Sequence, residues 1–195
     1  MSNYFDKNQT SDLRQEEIKV KINNKEIKLL SASGIFSKTK LDTGTKCLLE
    51  NYEIGKAKKV LDLGCGYGIV AITICREHNV EMFACDSNQR AVDYTIKNCK
   101  KNKVDVKVFL SDLFSKLNET FDLILTNPPY VAGRETCFKF ITESFEHLNK
   151  DGELQLVARH QKGGKMLELK MQEVFGNVDV LGKQSGFRVY RSKKK

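Results

Sequence analysis

The 195-residue sequence predicts an α/β fold: a doubly wound, mostly parallel sheet of seven strands with an antiparallel C-terminal hairpin and an N-terminal β-hairpin extension. Three observations carry this. From Lys59 onward short apolar runs alternate with segments of helical period. The runs VLDL, MFAC and LILT are almost continuously apolar, as parallel strands are when helices cover both faces of their sheet. The last two strands follow one another without a helix, so they return antiparallel.

Taken in order, residues 1–16 are polar and aperiodic and read as a flexible leader. Within 17–33, Ile18-Lys19-Val20-Lys21-Ile22 and Lys25-Glu26-Ile27-Lys28-Leu29 alternate strictly around Asn23-Asn24, whose residue type tolerates positive φ, which predicts a hairpin. Residues 34–195 form the core, and no repeat or linker splits the 1–195 domain. Strands are expected at 59–64, 81–86, 106–111, 121–126, 153–158, 177–181 and 187–190. Helices are expected at 67–78, 88–102, 135–149 and 164–175. Ala91, Tyr94, Thr95 and Asn98 mark one inward helical stripe; Phe138, Ile141, Phe145 and Leu148 mark another. Alternation of this kind requires right-handed crossovers.

Composition narrows the class. Forty per cent apolar and 30% charged residues suit one globular core. No run approaches the ~18 apolar residues of a membrane span, and the N-terminus lacks a secretory pattern, so a cytoplasmic protein is expected. The six cysteines (47, 65, 75, 85, 99 and 137) show no metal-ligand spacing and read as small core residues of a reducing compartment, with no metal site. The net charge of +8 favours a polyanionic partner, RNA or DNA, and equally fits a lysine-rich solubility strategy. The basic run 191–195 reads as a solvated tail.

The chemistry concentrates at the ends of the strands. Val60-Leu61-Asp62-Leu63-Gly64-Cys65-Gly66-Tyr67-Gly68 is a strand, a glycine turn and a helix start, where backbone must approach a ligand closely. Asp62 would repel a diphosphate but suits a cationic ligand such as the ammonium and sulfonium of S-adenosylmethionine. Asp86 ends the second strand and can accept both hydroxyls of a ribose, with Ser87 beside it. Asp112 ends the third and can accept from an adenine amino group while Leu113 or Phe114 covers the ring. Such sheets bind ligands at these carboxyl ends.

On these residues the sequence resembles the class I methyltransferases, and within them the single-domain relatives of ribosomal RNA small-subunit (guanine-N2) methyltransferase C. The resemblance runs from about Gly34 to Lys193 and rests on four stretches: Gly34 to Thr45, containing Phe36-Ser37 and Leu41-Asp42-Thr43-Gly44-Thr45; Leu61 to Gly68; Thr126-Asn127-Pro128-Pro129-Tyr130; and Gly186-Phe187-Arg188-Val189-Tyr190. It implies a Rossmann-like methyltransferase sheet, S-adenosylmethionine as cofactor, and rRNA or the small ribosomal subunit as partner. It further implies that Asp42, Gly44 and Thr45 lie near the methionine end of the cofactor. Thr45, Asp62, Gly64, Cys65, Gly66, Asp86, Ser87, Asp112, Leu113 and Asn127 are the candidate cofactor residues; Asn127, Pro128, Pro129 and Tyr130 are the candidate catalytic ones. The rRNA branch often has Ile or Phe at the position of Tyr130, which is commoner in the glutamine- and adenine-directed branches. A protein glutamine N5-methyltransferase or an adenine-N6 methyltransferase is therefore the alternative.

An exocyclic amine or amide nitrogen is planar and barely nucleophilic. Asn127 can accept one of its N–H groups and the Pro128 carbonyl the other, which favours pyramidalisation and stabilises the growing positive charge. Pro128-Pro129 form a rigid ledge, and Tyr130 offers a face to a flipped base. No general base is required; His78, His147 and His160 read as structural. The loop Arg159-His160-Gln161-Lys162 is expected to open toward the site and to touch phosphate.

Overall fold

The computed structural model describes residues 15–23, 25–32 and 41–195. The leader up to residue 14 and the part of the family-like stretch at 34–40 lie outside them. Strands β1 (Gln15–Ile22) and β2 (Lys25–Ala32) form the expected hairpin, which begins two residues earlier, inside the expected leader, with Ile22 opposite Lys25 and Asn23 at φ 47°. The alternation works as read, since Ile18, Val20, Ile22, Ile27 and Leu29 are all buried.

The main sheet holds β3 (Lys59–Leu63), β4 (Glu81–Asp86), β5 (Lys107–Leu110), β6 (Phe121–Thr126), β7 (Leu148–Arg159), β8 (Asp179–Gln184) and β9 (Phe187–Lys193). Their spatial order is β5-β4-β3-β6-β7-β9-β8. Pairings from β5 to β7 are parallel, and β9 is antiparallel to both β7 and β8. The chain winds outward through β4 and β5, then returns to start the other half at β6, so the switch point lies between β3 and β6.

Both faces are covered. The hairpin, α1 (Thr43–Asn51), α2 (Ile69–Glu77) and α3 (Gln89–Asn102) bury Val60, Ala84, Leu123 and Val157 on one side. Helices α4 (Arg134–Glu146) and α5 (Lys165–Phe175) bury Leu61, Phe83, Ile124 and Leu156 on the other. Alternate residues of one strand thus feed two cores, which is why these strands read as unbroken apolar runs.

The structure departs from the sequence expectations in five places, the first being that Arg191–Lys193 of the expected solvated tail belong to β9, with Ser192 buried and Arg191 paired with Glu53 and Asp179. Helix α1 stands where no helix was expected. Asp42 caps it by accepting from the Thr45 N–H at 2.8 Å, and Cys47, Leu48 and Leu49 fill its inner face. Helix α4 ends at Glu146, so Leu148 belongs to β7, which begins five residues early and bends at Asp151 (φ 65°) and the β6 register shift. Its inward stripe is Cys137, Phe140, Ile141 and Ser144; of the expected set only Ile141 is on it, and Phe138 and Phe145 are half-buried. Finally, β8 starts at Asp179, because Asn177 pairs with β9 through its side chain: its Nδ2 donates to the Lys193 carbonyl and its Oδ1 accepts from the Lys193 N–H, both at 2.8 Å.

Two buried amides join layers in the same manner. Asn98 of α3 is fully buried; it accepts from the Leu30 N–H at 2.7 Å and donates to the carbonyls of Leu30 and Tyr67, both at 2.9 Å. Gln155 of β7 exchanges two hydrogen bonds with the backbone of Glu53.

Candidate active site

A cavity of about 870 Å³ opens at the carboxyl ends of β3, β4 and β6, over the switch point. Thr45, Asp62, Gly64, Cys65, Gly66, Asp86, Ser87, Asp112, Leu113 and Asn127 all line it, with Pro128, Pro129 and Tyr130; of the other residues named from the sequence Asp42 lines it too, whereas Gly44 and Phe114 do not, Phe114 being buried against His147.

The turn after β3 is held open by its glycines. Gly64, Gly66 and Gly68 have φ of 81°, 58° and 85°, which L side chains rarely adopt. At Gly68 a Cβ would also fall 2.8 Å from the Thr95 methyl, so α2 packs directly on α3 there. At Gly66 a Cβ would meet nothing within 4 Å, because the backbone faces the cavity. The turn is tied down by the Cys85 carbonyl, which accepts from the N–H groups of Gly64 and Cys65, both at 2.9 Å.

The acids differ in environment. Asp86 is buried and accepts from the Gly66 N–H at 3.0 Å and the Asn88 N–H at 2.9 Å, contacts that fix the plane of its carboxylate. Asp62 is buried behind it and accepts from the Ala71 N–H at 3.2 Å. Burial, opposed by that hydrogen bond and reinforced by the charge of Asp86, pushes the Asp62 carboxyl up to about 7. Asp112 is exposed, and Leu113 takes φ 50° with its carbonyl accepting from the Ser111 hydroxyl at 2.8 Å. A leucine in the left-handed region is a strained turn, here braced by a buried serine.

Asn127 follows β6 directly. Its Nδ2 donates to Asp42 Oδ2 at 2.8 Å and to Thr45 Oγ1 at 3.0 Å. Asp42, read as a cofactor contact, is therefore joined to Asn127 and caps α1. Pro128 is buried, and the Pro129 carbonyl accepts from the Ala132 N–H at 3.0 Å, closing a 3₁₀ turn over Tyr130–Ala132. The Tyr130 hydroxyl is buried with no hydrogen-bond partner among the described residues, and burial drives its ionisation well above the usual phenol range. A Cβ at Gly163 would lie 2.7 Å from the Tyr130 ring, so the loop after β7 presses against it and covers part of its face.

That loop, a π-type turn over His160–Gly164, brings Arg159 and Lys162 to the cavity mouth as expected. None of the three histidines lines the cavity. His160 Nδ1 lies 2.8 Å from the Tyr190 hydroxyl, His147 stacks on Phe114 at 4.1 Å between ring centroids, and His78 lies 2.8 Å from the Tyr52 hydroxyl. The sequence reading missed Phe140, Lys139 and Glu143 of α4, all lining residues, since nothing in a helical stripe marks which residue reaches a cavity on another element. Phe187 was quoted only within a motif; it packs on Gly44, where a Cβ would come within 2.9 Å, and so joins the first and last family-like stretches at the rim. Five cysteines are buried and one is half-buried, all as thiols. Among the described residues no His, Cys, Asp and Glu cluster suits a metal, and no helix is long and apolar enough to cross a membrane.

Fold and site together define an S-adenosylmethionine-dependent methyltransferase. The chain belongs to the methyltransferase small domain family, whose model matches residues 26–191. It is 34% identical over 181 residues to the uncharacterized protein YbxB of Bacillus subtilis, covering 89% of each chain. It is 34% identical over 173 residues to ribosomal RNA small subunit methyltransferase C of Haemophilus influenzae, covering 86% of this chain and 52% of that one. The chain thus spans about half the length of the methyltransferase C relatives it matches. Among solved structures, the 16S rRNA N2 G1207 methyltransferase of T. thermophilus, in complex with AdoMet and guanosine, superposes with a TM-score of 0.81 at 23% identity, over 96% of this chain and 52% of that one.

Proposed function

We propose that the protein methylates the exocyclic amino group of guanine in small-subunit ribosomal RNA. The observation that carries this reading is the anchoring of Asn127. With its NH₂ group bound to Asp42 and Thr45, its Oδ1 is the end left to face an acceptor nitrogen. The named relatives supply the RNA class, and the cations Lys139, Arg159 and Lys162 at the mouth fit a phosphate backbone.

The residues present fit the cofactor. Gly66 leaves backbone bare where a Cβ would find open space, and Asp62 is a buried acid whose burial cost an ammonium group would offset. Asp86 and Ser87 would hold the ribose, Asp112 and Leu113 the adenine, and Thr45, Gly64 and Cys65 would complete the wall around the methionine end. When bound, S-adenosylmethionine supplies an electrophilic methyl group and its own leaving group. Asn127 Oδ1 and the Pro128 carbonyl accept the two N–H groups of the target amine, so its lone pair is released from the ring toward the donor side. Orientation of this kind is worth roughly 7–11 kcal/mol of barrier. Pro128-Pro129 keep these acceptors from retreating, and the exposed part of Tyr130 supports the base plane.

The test is transfer of labelled methyl to small-subunit rRNA, naked or as the assembled particle, followed by nucleoside mass spectrometry. N2-methylguanosine is expected, and Asn127→Ala should depress turnover far more than cofactor affinity. Labelling of a release-factor glutamine with none in RNA, the outcome Tyr130 would favour, would overturn the reading.

A further inference from the structure

We infer that Asp42 is a positioning residue for methyl transfer. Its carboxylate fixes which end of the Asn127 carboxamide meets the acceptor, and it requires an amide, not a carboxylate, at position 127. This rests on the role given to Asn127 above.

The two ends of a carboxamide are nearly isosteric, so only their partners decide which way the group faces. Around Asn127 both partners are acceptors. Asp42 Oδ2 has no proton to give; it accepts from the Thr45 N–H at 2.8 Å, the Thr45 hydroxyl at 3.2 Å and Asn127 Nδ2 at 2.8 Å. The Thr45 hydroxyl commits its proton to Asp42, so toward Asn127 Nδ2, 3.0 Å away, its oxygen can only accept. Only an NH₂ group satisfies both, and the flipped amide would set oxygen against two oxygens. The carboxylate is itself confined. It caps α1, and a Cβ at Gly44 would lie 3.0 Å from Asp42 Oδ2 and 2.9 Å from Phe187, so side-chain bulk is excluded from the site's edge. A carboxyl at position 127 would face that of Asp42 across one hydrogen-bond length, where two like charges cannot both be ionised.

The experiment is a four-member cycle of wild type, Asp42→Asn, Asn127→Asp and the double variant. Asparagine is as good a helix cap as aspartate, so Asp42→Asn keeps α1 with its Oδ1 in the place of Oδ2, and removes only the charge of the acceptor that Asn127 faces. Its single-turnover methyl transfer should fall about three- to tenfold, the difference between a charge-assisted and a neutral hydrogen bond, with cofactor affinity unchanged by calorimetry. Without any substrate, Asn127→Asp should melt lower than wild type at about pH 8 and recover at about pH 5, where the paired carboxyls share a proton. The double variant should lose that pH dependence and methylate faster than Asn127→Asp alone. Wild-type turnover in Asp42→Asn, a loss confined to its cofactor affinity, or strictly additive melting shifts in the double variant would each overturn the inference. If wild type methylates no RNA, the target reading falls, and the melting cycle still decides the pairing.

Discussion

Asp62 offers a quantitative test, because one buried carboxyl should work against the fold and for the ligand at once. Its carboxyl is raised from 3.8 to about 7, chiefly by burial. The folded protein therefore binds this proton more tightly than the unfolded chain. Stability is fully present below about pH 4, declines as pH rises, and reaches its loss above about pH 7, a span on the order of 4 kcal/mol. Replacing the acid by an isosteric amide removes that cost, so Asp62→Asn should raise the melting temperature of the ligand-free protein at about pH 8 by several degrees. A cationic ligand should bind only the ionised form. With half of the carboxyls ionised at pH 7 and roughly one in eleven at pH 6, S-adenosylmethionine affinity should drop about fivefold over that unit. Thermal melts from pH 6 to 8, with calorimetry from about pH 6 to 7 where the ligand's own α-amine stays protonated, would measure this on both proteins. If Asp62→Asn melts lower at high pH, or binds cofactor with the same affinity and the same pH slope as wild type, Asp62 is not the buried counter-charge.

Asp86→Ala should weaken S-adenosylmethionine by roughly 1.5–3 kcal/mol in calorimetry, about ten- to a hundredfold, since the variant loses an acceptor for the ribose and the tether on Gly66. Gly68→Ala should destabilise by about 1–3 kcal/mol in urea melts, because it combines φ of 85° with a collision on Thr95; a neutral result would mean the turn relaxes freely. Raising salt from about 50 to 200 mM should sharply reduce RNA binding measured by filter retention, and Arg159→Ala with Lys162→Ala should flatten the slope of that dependence without changing cofactor affinity.

The fold was legible wherever a strand fed two cores, since β3, β4 and β6 carry their signal in every residue. It was less legible where tertiary partners set the boundary. Helix α1 was missed because Thr43-Gly44-Thr45 is a poor helix start by propensity, and the Asp42 cap and the packing of Gly44 on Phe187 outweigh that. The stripe of α4 was misplaced because Phe138 and Phe145 look more core-like than Cys137 and Ser144, yet the latter face the sheet. In the site, residues on strand ends were found because sheet topology alone sends them to one edge. Asp42 was found as a residue of the cavity, but its bond to Asn127, 85 positions away, is a pairing that no local pattern encodes.

Asn98 changes where this enzyme may be cut. Periodicity places a seam at residue 34, which would make the N-terminal hairpin an appendage, removable when a minimal catalytic fragment is designed. The same fully buried carboxamide, however, grips Leu30 on one side and Tyr67 of the glycine turn on the other. Trimming the hairpin would strip Asn98 of a donor and an acceptor in a dry interior, at about 1–3 kcal/mol for each group left bare, directly beneath the glycine turn that lines the cavity. The hairpin is a keystone of the binding floor, and a fragment that begins after it is a different protein from one that merely lacks a tail.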